Sequence, residues 1–181
     1  MSAKQDPWLI FVGFAALYAS MAATTAQGGD SSEFMTVAAA FGTPHPPGYP
    51  LFTALTWLSV HLLPWGSVAW KASIVASLQA AGALAILFVA LRDLTARIPA
   101  LLAVCALGLS LHFWRYATVA EVFAGGALTA ALVLLVCVKI AHGLRGPRAA
   151  AALGLALSTG IANHHTVVLL APLGLFALAT L

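Results

Sequence analysis

Residues 50–63, "PLFTALTWLSVHLL", are apolar and short, with prolines at 50 and 64. A membrane-crossing helix needs about 20 apolar residues, and this run has too few. Whether it crosses decides the topology of everything after it. Suppose it crosses. Arg92 and Arg97 then share a side with the acidic loop around Asp30, and the group Lys139, Arg145 and Arg148 does too. The rule that Lys and Arg stay on the inner side would be broken twice. Suppose instead that it lies along the outer interface. Lys4, Arg92, Arg97, Lys139, Arg145 and Arg148 then all fall inside. The second arrangement satisfies the charge rule, and Trp57 and His61 suit a helix in the interface.

The rest of the chain agrees with a membrane setting. Of its 181 residues, 62% are hydrophobic and 7% charged, against about 25% charged in a soluble domain. Apolar runs occupy residues 8–26, 68–91, 98–113, 122–141, 149–162 and 166–180. The expectation is an all-α polytopic membrane protein with about six transmembrane helices at roughly 20 residues each. The first run, after Lys4, reads as a span, although a basic residue, an apolar stretch and small residues also describe a cleaved signal peptide. Residues 27–66 read as an outer loop with two interfacial helices, 31–41 and 50–63. Ser31 or Ser32 would cap the first, with Glu33 in its first turn. Residues 67–181 hold the remaining spans. The apolar ending, "GLFALATL", suggests the N-terminal part of a longer protein. A net charge of +3 in short clusters is a topology signal and gives no case for nucleic acid. Cys105 and Cys137 lie in apolar runs and form no metal or redox pattern.

This topology sends most of the unusual polar residues to one face. In "GGDSSEFMTVAAAFGTPHPPGYP", residues 28–50, Asp30 and Glu33 are two of only five acids in the chain. Their i, i+3 spacing places them on one helix face. They could be a base or metal ligands, or a plain N-cap with its capping-box partner. The prolines after them cannot continue a helix. They form a rigid turn that aims His45 and Tyr49, or a simple stop between two helices. "HFWRYATVAE", residues 112–121, brings His112, Arg115 and Glu121. Arg115 stands against the charge bias, so it is a candidate for an anion such as a lipid phosphate; a guanidinium snorkelling to headgroups is the plain alternative. "NHH", Asn163, His164 and His165, is either a polar turn or part of a site. Adjacent histidines on a helix would diverge, so a shared metal is not expected.

Taken in order, "GDSSEF", "AAAFGTPHPPGYPLF", "AEVF" and "NHHT" resemble the N-terminal module of the transmembrane protein 260-like family, also called the domain of unknown function 2723. That family is grouped with the GT-C glycosyltransferases, which include protein O-mannosyltransferases. The resemblance covers nearly the whole chain. Ser32 stands where the family often has Gly, and Phe123 where it often has Tyr.

The resemblance implies a single GT-C-like module, residues 1–181, that transfers a sugar, mannose first, from a polyprenyl-phosphate donor. The acceptor would be a hydroxyl of a protein, glycan or lipid. It implies a catalytic role for Asp30, as base, and for Glu33 and Glu121. His45, Tyr49, Arg115, Asn163, His164 and His165 would bind substrate. No cofactor is assigned; some GT-C enzymes use a divalent metal and others do not. The site would face the periplasm of a bacterial inner membrane, or the lumen of the endoplasmic reticulum in a eukaryote. The competing readings are a transporter, and an inactive relative that only binds lipid.

Overall fold

A computed structural model describes residues 5–179, and every regular element among them is helical. Lys4, used in the charge count, and Thr180, the end of the last apolar run, lie outside the described residues. The helices are α1 (Asp6–Met21), α2 (Ser31–Ala40), α3 (Pro50–Leu62), α4 (Val68–Leu94), α5 (Arg97–Gly108), α6 (Leu111–Ala117), α7 (Phe123–Ala141), α8 (Gly146–Asn163) and α9 (Ala171–Ala179). A 3-10 turn, His165–Leu170, joins the last two.

Helix α4 is the axis, packed against α1, α7, α3, α5 and α6. Its inner faces carry small residues such as Ala72, Ser73, Ala76 and Ala80, all buried, which let neighbouring backbones come close. Its start is set locally: the Ser67 hydroxyl accepts the Trp70 backbone N–H, an N-cap. Tertiary bonds then tie the neighbouring helices to that end. Trp70 Nε1 donates to Ala19 O, Ser67 Oγ donates to Thr24 O, and the Ser77 hydroxyl donates to Ala117 O.

Among the described residues, α4 and α7 are the single helices long and apolar enough to cross a membrane. The expected span at 98–113 is broken: α5 and α6 meet at 68° and could count together as a third. The break has a packing cause. A Cβ on Gly108 would meet the Phe14 ring at 2.6 Å, so α1 presses on the helix there, and Tyr18 OH takes Gly108 O at 2.7 Å. Ser110 then turns to extended backbone. The count of about six spans is therefore coarser here: α1, α3 and the segment His165–Ala179 are apolar but shorter. At 1.5 Å per residue the 16 residues of α1 cover about 24 Å, against a hydrocarbon core of about 30 Å.

Helix α3, the decisive segment, has 13 residues, about 20 Å by the same rise. It folds back on the first turns of α4. Ser59 Oγ donates to Lys71 O at 2.5 Å, and Lys71 Nζ returns to Val60 O at 3.2 Å. That spends Lys71 on a backbone carbonyl. The other contacts of α3 are with α2 and α8. The bundle thus has two chemically distinct ends. One gathers the α1–α2 loop, the proline turn, the α6–α7 link and the end of α8. The other carries Asp6, Asp93, Arg97 and Lys139.

Candidate active site

Helix α2 begins at Ser31 with Asp30 as N-cap, and no side chain caps it. The expected cap by Ser31 or Ser32, and the capping box by Glu33, are both replaced. The reason is that Glu33 has a stronger partner than its own helix start. Its Oε1 accepts the His45 backbone N–H at 2.6 Å, and its Oε2 lies 2.6 Å from His45 Nδ1. The turn through Pro44, Pro46 and Pro47 delivers His45 to it. The far ring nitrogen of His45, Nε2, meets Tyr49 OH at 2.9 Å and Asp30 Oδ2 at 3.8 Å. The Glu33 hydrogen bond pushes the His45 pKa up, and the His45 bond holds Glu33 down. His45 therefore lies beside two carboxylates, which favour its protonated form.

Tyr49 is held in the left-handed region, φ 42°, a conformation that costs a non-glycine residue energy. Buried packing against Phe34 and Phe52 fixes it, and its ring stacks on His164 at 5.4 Å. His164 in turn stacks on His165 at 4.7 Å. The expected divergence of the two histidines fails because His164 is extended, φ −159°, and not helical. His164 Nδ1 accepts the Thr166 backbone N–H at 3.1 Å, and burial lowers its pKa, so it is neutral. His165 is exposed.

Glu121 is the buried member, 7% exposed. Burial, then the charge of Asp30, pushes its pKa up to about 7; the Asp30 and Ser31 backbone N–H groups and the Arg115 charge pull the other way. It sits against the glycine turn before α2. Gly29 has φ 81°, and a Cβ there would meet Glu121 Oε1 at 3.0 Å, so only glycine lets the loop close over the carboxyl.

A cavity of about 290 Å³ lies between the glycine turn and the α6–α7 link. Its walls include Gln27, Gly29, Asp30, Arg115, Tyr116, Glu121 and Phe123. Among the described residues Arg115 makes no ion pair, and it is exposed on this wall. Sequence reasoning placed Asp30, Arg115 and Glu121 on one face, and all three line the cavity. It gave no site role to Gln27, Gly29, Tyr116 or Phe123; the "GGD" turn was the available signal. Glu33, His45 and Tyr49 form a second group beside Asp30, away from the cavity wall. Asn163 is behind both groups. It is 1% exposed, its Nδ2 donates to Val122 O and its Oδ1 accepts from Gln79. That amide is spent on fixing the backbone next to Glu121, which removes it from direct substrate contact. Ligand atoms of Asp30, Glu33 and His45 lie within 4.8 Å of one another, a spacing open to a divalent cation.

Residues 30–180 match the family model for the protein O-mannosyl-transferase TMEM260 N-terminal domain. The chain belongs to that family. The match starts at Asp30, so the TMEM260 N-terminal domain model takes in every wall residue from Asp30 to Phe123. A mouse relative named protein O-mannosyl-transferase TMEM260 is 34% identical over 165 residues, 88% of this chain and 23% of its own length. A Dictyostelium discoideum relative with the corresponding name is 30% identical over 179 residues, 90% of this chain and 22% of its own. The chain thus spans less than a quarter of these curated relatives. No solved structure matches. Both relatives are eukaryotic, so the comparisons give the bacterial inner membrane no support.

Proposed function

We propose that this chain is the donor-site module of a membrane glycosyltransferase, moving mannose from a polyprenyl phosphate to a protein hydroxyl on the lumenal side. The observation that carries the reading is the shared cavity: a free guanidinium, Arg115, opposite an accessible carboxylate, Asp30. Transfer needs both. The acceptor oxygen attacks the anomeric carbon and forms the new glycosidic bond. The bond from that carbon to the phosphate oxygen breaks, and the phosphate leaves with the electron pair. The acceptor proton goes to Asp30 as general base. Arg115 binds the departing phosphate through its forked donors.

His45, oriented by Glu33, holds Asp30 in place and keeps positive charge beside it. Glu121 in its protonated form adds no negative charge against the phosphate. The relatives' names support mannose and protein as substrates, and the charge bias supports the lumenal side, with α2 and α3 along that interface. The transporter reading is disfavoured by the charged residues, which among the described ones collect at the two ends of the bundle and not midway.

One observation favours a second assignment within the same reaction. Glu121 has a pKa near the working pH, where a general base is most effective. In that case Glu121 takes the proton and Asp30 binds the acceptor. The test of the function is a transfer assay on the full-length protein with a panel of polyprenyl-phosphate sugars, read by mass spectrometry. Mannosylated peptide from the mannose donor is the expected result. Transfer from none of the panel overturns the proposal.

A further inference from the structure

The polar cavity is not closed below. Two of its wall residues, Tyr116 and Phe123, are also walls of an apolar cavity of about 380 Å³ beneath it. That cavity shares Leu107, Phe113 and Ala127 with a third, about 300 Å³, which reaches Leu134. The three form one track down the outside of α7, between it and the broken pair α5–α6. From Phe123 to Leu134 it follows about 16 Å of helix at 1.5 Å per residue. Its floor is made of α4 and α7 alanines, and its rim of the aromatic rings. Beside it α5 and α6 meet at 68°, and the α6 residues Phe113 and Tyr116 form one of its walls.

We propose that this track holds the first isoprene units of a polyprenyl-phosphate donor, with the phosphate at Arg115. The proposal rests on the glycosyl-transfer reading of the cavity above it and adds the path of the lipid. Charge complementarity selects the occupant. A cation without an ion-pair partner stands at the top, and an apolar trough leads away from it through a shared wall, so the ligand is an anion with a long hydrocarbon tail. Another cavity, about 410 Å³ between α1 and α5, does not meet this description. It is apolar too, but it ends on the Asp6–Arg97 pair and shares no wall residue with the polar cavity.

The experiment uses the full-length protein in phosphatidylcholine nanodiscs. A polyprenyl phosphate carrying a diazirine in its second isoprene unit is photolysed, and the labelled residues are mapped by mass spectrometry. Labelling of Phe113, Ala127 or Leu134, displaced by excess polyprenyl phosphate and not by phosphatidic acid, is the expected result. Displaceable labelling confined to the α1–α5 cavity overturns the track and leaves the donor reading standing. Equal displacement by phosphatidic acid, or no saturable labelling, overturns both. Ala127→Trp gives a second readout. Filling the track should raise KM at least about tenfold for a long-chain donor, since each methylene group left unburied weakens binding, and leave KM nearly unchanged for a donor cut to its first isoprene unit, which ends above Ala127. Equal change for both donors, or none, sinks the track.

Discussion

The two ends of the bundle treat charge in opposite ways. At the end with the short basic clusters, each acid has its own cation. Asp6 takes Arg97 through two hydrogen bonds of 2.6 and 2.7 Å, joining α1 to α5, and Asp93 meets Lys139 at 2.7 Å, joining α4 to α7. At the other end three acids, Asp30, Glu33 and Glu121, gather around one histidine, His45, and Arg115 makes no ion pair among the described residues. Paired charges between helices are staples. Unequal, partly buried charge is what the proposed site requires, because a site must leave something for its substrate to complete. Breaking each end should therefore give a different kind of defect.

The largest effect is expected from Asp30→Asn. The amide keeps the shape and cannot accept a proton, and loss of a general base typically costs about 10²–10⁴-fold in turnover. Thermal unfolding should be unchanged, since the Asp30 side chain makes no cap bond to α2. Near-normal transfer by folded Asp30→Asn protein would move the base to Glu121 and redraw the contrast between the ends.

Glu121→Gln sharpens the same contrast through pH. With a pKa of about 7, Glu121 is neutral below neutrality and charged above it. Ionisation puts a second negative charge near the donor phosphate, so KM should be flat in acid and rise above pH 7, by at most about tenfold per pH unit for one proton. Glutamine mimics the neutral form, so the variant should keep the low KM across the range. A variant that instead loses turnover, from a wild-type whose kcat climbs through pH 7, assigns the base to Glu121.

A third effect tests how the site is held from behind. A Cβ on Gly125 would collide with the Asn163 amide, which is fixed by Val122 O and Gln79. Gly125→Ala should therefore cost about 1–3 kcal/mol of stability by overpacking, measured by denaturation in detergent. It should also raise KM modestly, because Val122 adjoins Glu121. Unchanged stability would mean that Asn163 moves freely and supports nothing.

Much of this arrangement was legible in the sequence, for stated reasons. Charge bias along the chain separated the two ends, and helix-breaking prolines marked the turn that carries His45. Arg115 was conspicuous because it opposed that bias. What was not legible depends on contacts between distant segments. Glu33 and His45 are twelve residues apart, and either could have had another partner. The break at Leu109–Ser110 follows from α1 pressing on Gly108, and no local residue announces it. Asn163 looked like part of a polar turn, and only the close passage of Gly125 shows its amide to be buried. The stacked histidines required an extended residue that helical reasoning at "NHH" did not anticipate.

The smallest effect is expected at the paired end, from Asp93→Asn. Its partner Lys139 is about half exposed, and the contact lacks hydrogen-bond alignment: Asp93 Oδ2 is buried with charge nearby and no donor directed at it. A partly exposed ion pair of this kind contributes about 0–1 kcal/mol, after screening and the ordering of a long side chain. The substitution should lower stability slightly and leave kcat and KM for transfer at wild-type values, since the pair joins the far ends of α4 and α7. Adding Lys139→Met should produce almost no further change, because the interaction has already been removed. The measurement is a double-mutant cycle on unfolding, run beside the transfer assay. A coupling well above 1 kcal/mol would make this staple a principal support of the bundle. A fall in turnover at full folding would show that the two ends communicate, and the division between holding charge and working charge would no longer stand.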